Sequence, residues 1–241
     1  MKIKPTSKLN ELGLWKYMTA RRFDVVTPLE EAGFLPPVAF ETRDLLLAWA
    51  KKHRLSACPI GRINRKNALF VGHELHPFEG HDYHLYYTQI WVSAKYKGYR
   101  SALKRDISDF VNDSQTFRLV DADRVVNKSS AVHLDDAWIN LLPVWSGRNR
   151  GFGWIESRLP KLKKGFRSVE LPPLVAFKIL RDKKMEKTDD NRTKEMILSD
   201  EIDEVIDGLL IHDNKPDYVK TRVIQFRDAL RNDVKQDFET T

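Results

Sequence analysis

The segment from Leu119 to Trp154 carries polar side chains whose types suit the cleavage of a phosphodiester bond. That reaction needs a divalent cation to stabilise charge on the phosphate and a base to activate water. Asp123 and Asn149 offer the hard oxygen ligands that Mg²⁺ prefers, and Asn140 lies between them in an apolar run. Each also has an ordinary structural interpretation: Asp123 as a turn acid, Asn140 as a buried partner for loop backbone, and Asn149 as a turn residue. Their joint spacing favours the chemical interpretation.

The same spacing resembles the motif of the HNH, or ββα-metal, nucleases. Members of that family carry an Asp-His or His-His pair at the end of a first strand, then an Asn followed by Leu, and a His or Asn shortly afterwards. The corresponding positions here are Asp123-Arg124, Asn140-Leu141 and Asn149, all within residues 119–154.

The resemblance implies an HNH-like metal-dependent DNA endonuclease or nickase, of phage, mobile-element or restriction origin. By the same resemblance, Asp123, Arg124 and Asn140 form the catalytic centre, and Asn140 ties the loop between the strands to the motif. The implied cofactor is Mg²⁺, with Mn²⁺ as the alternative, held by Asp123 and Asn149.

Arg124 occupies the position at which the family places its general-base histidine. A guanidinium stays protonated near neutral pH, so Arg124 cannot take a proton from water. Three explanations stay open. Arg124 holds a phosphate while another residue is the base, or the protein is a catalytically inactive relative that binds DNA as a repressor or accessory factor, or the resemblance is accidental. His133 is the nearest alternative base, although the family motif gives that position no role.

Four of the seven histidines lie within twelve residues, at His73, His76, His81 and His84. Their spacing is compatible with a transition-metal site. The alternative is a hairpin whose histidines are exposed or hydrogen-bonded, with proline and glycine in its turn. A further hypothesis is that this hairpin lends a general base to the predicted aspartate site.

Positive charge is concentrated in the middle of the sequence. The formal net charge is +7, and residues 146–167 alone contribute +6, with seven basic residues and one acid. A second run at 95–105 contains five basic residues and no acid, whereas the segment from Asp182 onward has a balance of −5. This asymmetry favours a polyanion, here double-stranded DNA, over the alternative of an acidic protein partner. The side chains expected to contact phosphates are Lys128, Arg148, Arg150, Lys161, Lys163 and Lys164.

The composition excludes several other classes of protein. Hydrophobic residues make up 41% of the chain, which is enough to build a core and argues against disorder. The single cysteine, Cys58, excludes an internal disulfide framework and a multi-cysteine zinc site. No apolar stretch approaches the roughly 20 residues that span a bilayer, and the first residues lack the apolar core of a signal peptide. We therefore expect a soluble, cytoplasmic protein with no membrane partner.

These patterns predict an α+β fold with the HNH-like ββα motif embedded between two other regions. A mixed α/β N-terminal region covers 1–116, the motif and the basic segment cover 117–181, and a helical C-terminal region covers 182–241. The apolar stripes of two C-terminal helices are expected to pack on the main body or on each other. A homodimer contact through these helices is the alternative.

Local signals place several elements within these regions. Thr42 is predicted to cap a helix that ends near His53, and Ser199 to cap the first C-terminal helix. Residues 121–123, Asp-Ala-Asp, predict a turn within a strand over 117–126. The other predicted segments are strands at 68–71 and 83–92, helices at 100–112 and 174–181, and a polar linker at 182–194.

Overall fold

The fold is described from a computed structural model, for residues 5–73, 87–108, 111, 116–124, 134, 136–146, 163–181, 194–211 and 215–239. These residues form an α+β arrangement of helices around one antiparallel sheet. The helices are α1 (Pro5–Ala32), α2 (Arg43–Lys52), α3 (Tyr99–Ile107), a 3-10 helix (Thr116–Leu119), α4 (Pro173–Leu180), α5 (Lys194–Leu210) and α6 (Asp217–Glu239). The strands are β1 (Pro37–Phe40), β2 (Ser56–Pro59), β3 (Ala68–His73), β4 (Tyr87–Ser93), β5 (Val120–Arg124), β6 (Trp138–Trp145) and β7 (Ser168–Glu170).

Strand β6 is the centre of the sheet, whose order is β2-β3-β4-β6-β1-β7 with β5 also paired to β6. The first half of β6 pairs with β4 and with β1, as in the pair Ala39 and Ile139. The second half pairs with β5, from Leu141 opposite Arg124 to Trp145 opposite Val120. Strands from the predicted regions 1–116 and 117–181 therefore belong to one sheet.

The two faces of β3 and β4 carry different helices. Ala68 and Ile90 pack in one cluster with α3, while Leu69 and Trp91 pack in another cluster with α2. Successive side chains of a strand point to opposite faces, so α2 and α3 lie on opposite sides of the sheet.

The largest core joins the C-terminal helices to the sheet. Leu142 and Val144 of β6 pack in one cluster with residues of α4, α5, α6 and the second half of α1. The predicted stripes of α5 and α6 are buried in this cluster, which confirms that they pack on the main body and on each other. The buried stripe residues are Ile202, Ile206, Leu209, Val219, Val223, Phe226, Leu230 and Val234.

The chain turns sharply after α1, and α6 holds that turn. Arg222 donates a hydrogen bond from Nη1 to the carbonyl oxygen of Glu30 at 2.8 Å, and Lys215 forms an ion pair with the Glu30 carboxylate. Gly33 follows with φ +74°, a left-handed conformation that glycine adopts without steric cost. The last carbonyls of α1 thus gain side-chain donors, which a helix end needs.

Several local predictions can be compared with the structure. The helix capped by Thr42 is confirmed, because Thr42 Oγ1 accepts from the Leu45 amide at 3.2 Å. The cap at Ser199 is wrong, because α5 begins at Lys194 and the fully buried Leu198 extends its apolar stripe by a turn. The turn at 121–123 is also wrong, because these residues pair with β6 as part of β5. The strand at 68–71 and the helix at 174–181 are confirmed as β3 and α4.

None of the helices in the described ranges is long and apolar enough to cross a membrane.

Candidate nucleic-acid interface

Strands β5 and β6 form the hairpin on which the predicted motif depends. Asp123 lies opposite Leu142, so both side chains point to the same face of the sheet. Asn140 is two residues before Leu142 and shares that face. The structure therefore brings two of the predicted catalytic residues, Asp123 and Asn140, to one side of the hairpin, where α4 packs.

The carboxylate of Asp123 is buried in an ion pair. Lys178 of α4 donates from Nζ to Asp123 Oδ2 at 2.6 Å, and the two side chains are 1% and 7% exposed, respectively. The apolar neighbours Leu142 and Phe177 belong to the surrounding core. A charge in such surroundings is tolerated only because it is paired, so each of these two residues depends on the other.

Asn140 is buried among aromatic and aliphatic neighbours. It lies opposite Trp91 in the pairing of β4 with β6, and 1% of its surface is exposed. Within the described part of the chain, its Oδ1 atom accepts no hydrogen bond. Arg124 ends β5 opposite Leu141, at the strand terminus where the family motif places its general base.

Two of the predicted phosphate contacts, Lys163 and Lys164, lie in the described turn before β7, and both are exposed. The amide of Gly165 donates to Glu41 Oε1 at 2.6 Å in the same turn. This bond fixes the two lysines close to the beginning of α2. The other predicted site residues lie outside the described residues: Lys128, Asn149, Arg148, Arg150, Lys161, His76, His81, His84 and His133.

The described residues do not fit the metal site that the HNH resemblance implies. One carboxylate oxygen of Asp123 is occupied by an ammonium group at 2.6 Å, which repels a second cation. The carboxylate is also enclosed by core residues, while a Mg²⁺ ion keeps several waters of its own. Across the ranges given above, no three His, Cys, Asp or Glu residues are grouped closely enough to hold a metal ion.

A basic groove lies beside the same hairpin, between α3, the 3-10 helix and β5. Its volume is about 350 Å³. Arg100 and Lys104 of α3 line one side, and Arg118 of the 3-10 helix lines the other. We call this feature the α3 groove. Arg118 was missed by the sequence analysis, because it is isolated from the basic runs and only the fold brings it opposite α3.

A buried polar network fixes α1 to α3 underneath this region. Tyr17 donates from its hydroxyl to Asp106 Oδ2 at 2.6 Å, and Arg21 pairs with Asp24 at 3.1 Å. The Arg21 guanidinium also lies 5.4 Å from the centre of the Tyr17 ring. All four side chains are buried, so the network supports the structure but offers no access to a ligand.

Burial shifts the pKa values of ionisable side chains in this network. It raises the pKa of Tyr17 well above its ordinary value, and the neighbouring Asp106 carboxylate adds to that shift. Burial also raises the pKa of Asp24 to about 6, although Arg21 opposes the shift. Burial disfavours the charged form of Arg21, but Asp24 and Asp106 outweigh it and hold the guanidinium pKa above its ordinary value. The pKa of Asp24 therefore lies in the weakly acidic range.

Comparison with known proteins adds no relative: no family model matches the chain, and neither a curated protein nor a solved structure shows significant similarity to it.

Proposed function

We propose that this protein binds double-stranded DNA and does not cleave it, as a catalytically inactive relative of the HNH nucleases that acts as a repressor or accessory factor. Two features support DNA binding. The first is the +6 charge of residues 146–167, which includes the exposed lysines at 163 and 164, and the second is the basic groove beside the hairpin. Concentrated positive charge and a basic groove are features expected of a surface that contacts a phosphate backbone.

The observation that carries the non-cleaving assignment is the buried ion pair of Asp123 and Lys178. A metal ligand in a nuclease must present its oxygens to a hydrated cation and a phosphate. Here the Asp123 side chain is 7% exposed and accepts a bond from an ammonium group. Arg124, which follows it, cannot serve as a general base. Position 123 therefore lacks an accessible metal ligand, and position 124 lacks a general base, both of which hydrolysis needs.

The second candidate is an HNH-like metal-dependent DNA endonuclease or nickase, using Mg²⁺ or Mn²⁺. The observation in its favour is the antiparallel pairing of β5 with β6, which supplies two strands in the order of the ββα motif. Asp123 and Asn140 also share a face of this hairpin. Cleavage would require Lys178 to move away from Asp123, so that the carboxylate becomes free to bind a cation. That arrangement differs from the one in the structure.

Incubation of supercoiled plasmid with the full chain and Mg²⁺ or Mn²⁺ separates the two candidates. We expect a mobility shift of the plasmid with no conversion to nicked or linear forms. Nicking by the wild type that disappears in Asp123→Asn, but persists in the control Asp207→Asn at an exposed position of α5, would overturn the non-cleaving assignment. Asn retains an oxygen that can accept from Lys178, and circular dichroism checks that the variant is folded. Absence of any shift would overturn DNA binding itself.

A further inference from the structure

We infer that the α3 groove, rather than the hairpin face bearing Asp123, is where the protein contacts the phosphates of the DNA backbone. This inference rests on the proposed function and names the surface that performs it. The basic runs of the sequence predict phosphate contacts at residues between 128 and 164. The structure adds a basic surface formed by α3, the 3-10 helix and β5.

The sides of the groove carry three exposed cations, Arg100, Lys104 and Arg118. The acid that lines it is Asp121, whose carboxylate lies 3.9 Å from Arg100. The Arg100 side chain is 76% exposed, so this contact leaves the guanidinium accessible to a phosphate. The charge balance of the lining is therefore positive, which suits a chain of phosphates.

The floor of the groove is apolar. Leu103, Ile107 and Val120 lie along it and are buried. Phe117 lies beneath Lys104, whose Nζ atom is 5.3 Å from the ring centre. This geometry holds the lysine chain against the ring and keeps its ammonium group at the surface. An apolar floor between cationic sides fits a sugar-phosphate backbone, whose deoxyribose carbons face the floor while its phosphates meet the sides.

The basic surface continues beyond the groove onto the loop between β2 and β3. Gly61 lies under the Arg105 side chain, because a Cβ atom added at Gly61 would be 3.4 Å from Arg105 Nε. The loop therefore adjoins α3. It carries three exposed cations and no acid between residues 60 and 67. These cations are Arg62, Arg65 and Lys66.

At its other end the groove reaches the basic segment found in the sequence. Ser146 lines the groove and donates from its hydroxyl to the carbonyl oxygen of Arg118 at 3.1 Å. Arg148 and Arg150 follow Ser146 within four residues of the sequence. The groove thus extends from α3, which carries much of the basic run 95–105, to Ser146, the first residue of the basic segment 146–167.

Charge reversal on opposite faces of the sheet tests the inference. The double variant Lys104→Glu and Arg118→Glu removes two groove cations. The matched control, Lys51→Glu and Lys52→Glu, makes the same change of net charge on α2, on the opposite face of the sheet. Both control lysines are exposed. Binding of each full-length protein to a short fluorescent DNA duplex is measured by anisotropy over a series of salt concentrations.

We expect the groove variant to bind DNA several-fold more weakly than the wild type. The slope of log Kd plotted against the logarithm of the salt concentration should also become smaller by about 2, because two phosphate contacts are lost. The control should keep the wild-type slope. Equal slopes for the groove variant and the control would overturn the inference and leave the proposed DNA binding intact. Failure of the wild type to bind would overturn both. Circular dichroism of each variant confirms that it is folded before binding is compared.

Discussion

Lys178 Nζ lies 2.6 Å from Asp123 Oδ2 in the interior of the protein, and this contact joins the end of β5 to α4. It connects residues 55 positions apart in the sequence. The pair fixes α4 on the sheet through the aspartate that the sequence predicted as a metal ligand. Asp123 therefore has a structural role that explains its burial without any bound cation.

Removal of one partner of this pair should cost much more stability than removal of both. Asp123→Ala removes the carboxylate that Lys178 contacts in the core, and loss of one partner of a buried ion pair costs about 3–5 kcal/mol. The double variant Asp123→Ala and Lys178→Met removes both charges and should recover a large part of that loss. Urea unfolding of the three proteins measures the difference. Equal stability of the single and double variants would contradict the pairing.

The hydrogen bond between Tyr17 and Asp106 should make a measurable contribution to stability. Tyr17→Phe removes a donor to a buried carboxylate at 2.6 Å, and we expect a loss of about 1.5–3 kcal/mol, typical of hydrogen bonds to charged groups. The control is Tyr218→Phe, at a tyrosine that is 58% exposed. That control should change the unfolding free energy by less than about 0.5 kcal/mol. A similar effect of both substitutions would argue against the α1–α3 bond.

Asp24 should make stability depend on pH in the weakly acidic range. Its pKa is raised by burial from 3.8 to about 6, so between these values the folded state holds a proton that the unfolded state has released. Stability conferred by this group is therefore present at low pH and is lost as the pH rises through about 6. Asp24→Asn should flatten the pH profile of the unfolding free energy in this window. An unchanged profile would contradict the shift.

The cap of α2 offers a test of local structure. Thr42→Ala removes the acceptor of the Leu45 amide and should cost about 1 kcal/mol. Thr42→Ser keeps a hydroxyl oxygen at the same position and should cost much less. Thermal unfolding followed by circular dichroism compares the two variants. A Ser variant as unstable as the Ala variant would show that the hydroxyl is not the stabilising group.

The sequence predicted the elements whose signals are local. Helix α2 was predicted from the Thr42 cap, and β3 from the strand pattern at 68–71. Helix α1 was missed because Arg21 and Asp24 occupy buried positions on it. These charges interrupt the apolar stripe from which a helix is recognised. Their partners come from tertiary packing, which no local pattern reveals.

The candidate site could be predicted only in part for the same reason. The resemblance implied a pair of strands around Asp123 and Asn140, and β5 does pair with β6, whereas the local pattern predicted a turn at 121–123 where β5 continues. The contact of Asp123 with Lys178 does not, since α4 is a short apolar helix that gives no sign of which strand residue its lysine meets. The α3 groove likewise depends on the position of Arg118 opposite α3, which is set by the sheet.

DNA binding by the full chain in the presence of EDTA tests the central claim most directly. The measurement is the anisotropy of a fluorescent duplex titrated with protein, from low salt upward over about 50–200 mM. The account predicts saturable binding without any divalent cation, weakening steeply as the salt concentration rises. Failure to bind the duplex at the lowest salt concentration, or binding only after Mg²⁺ is added, would contradict it.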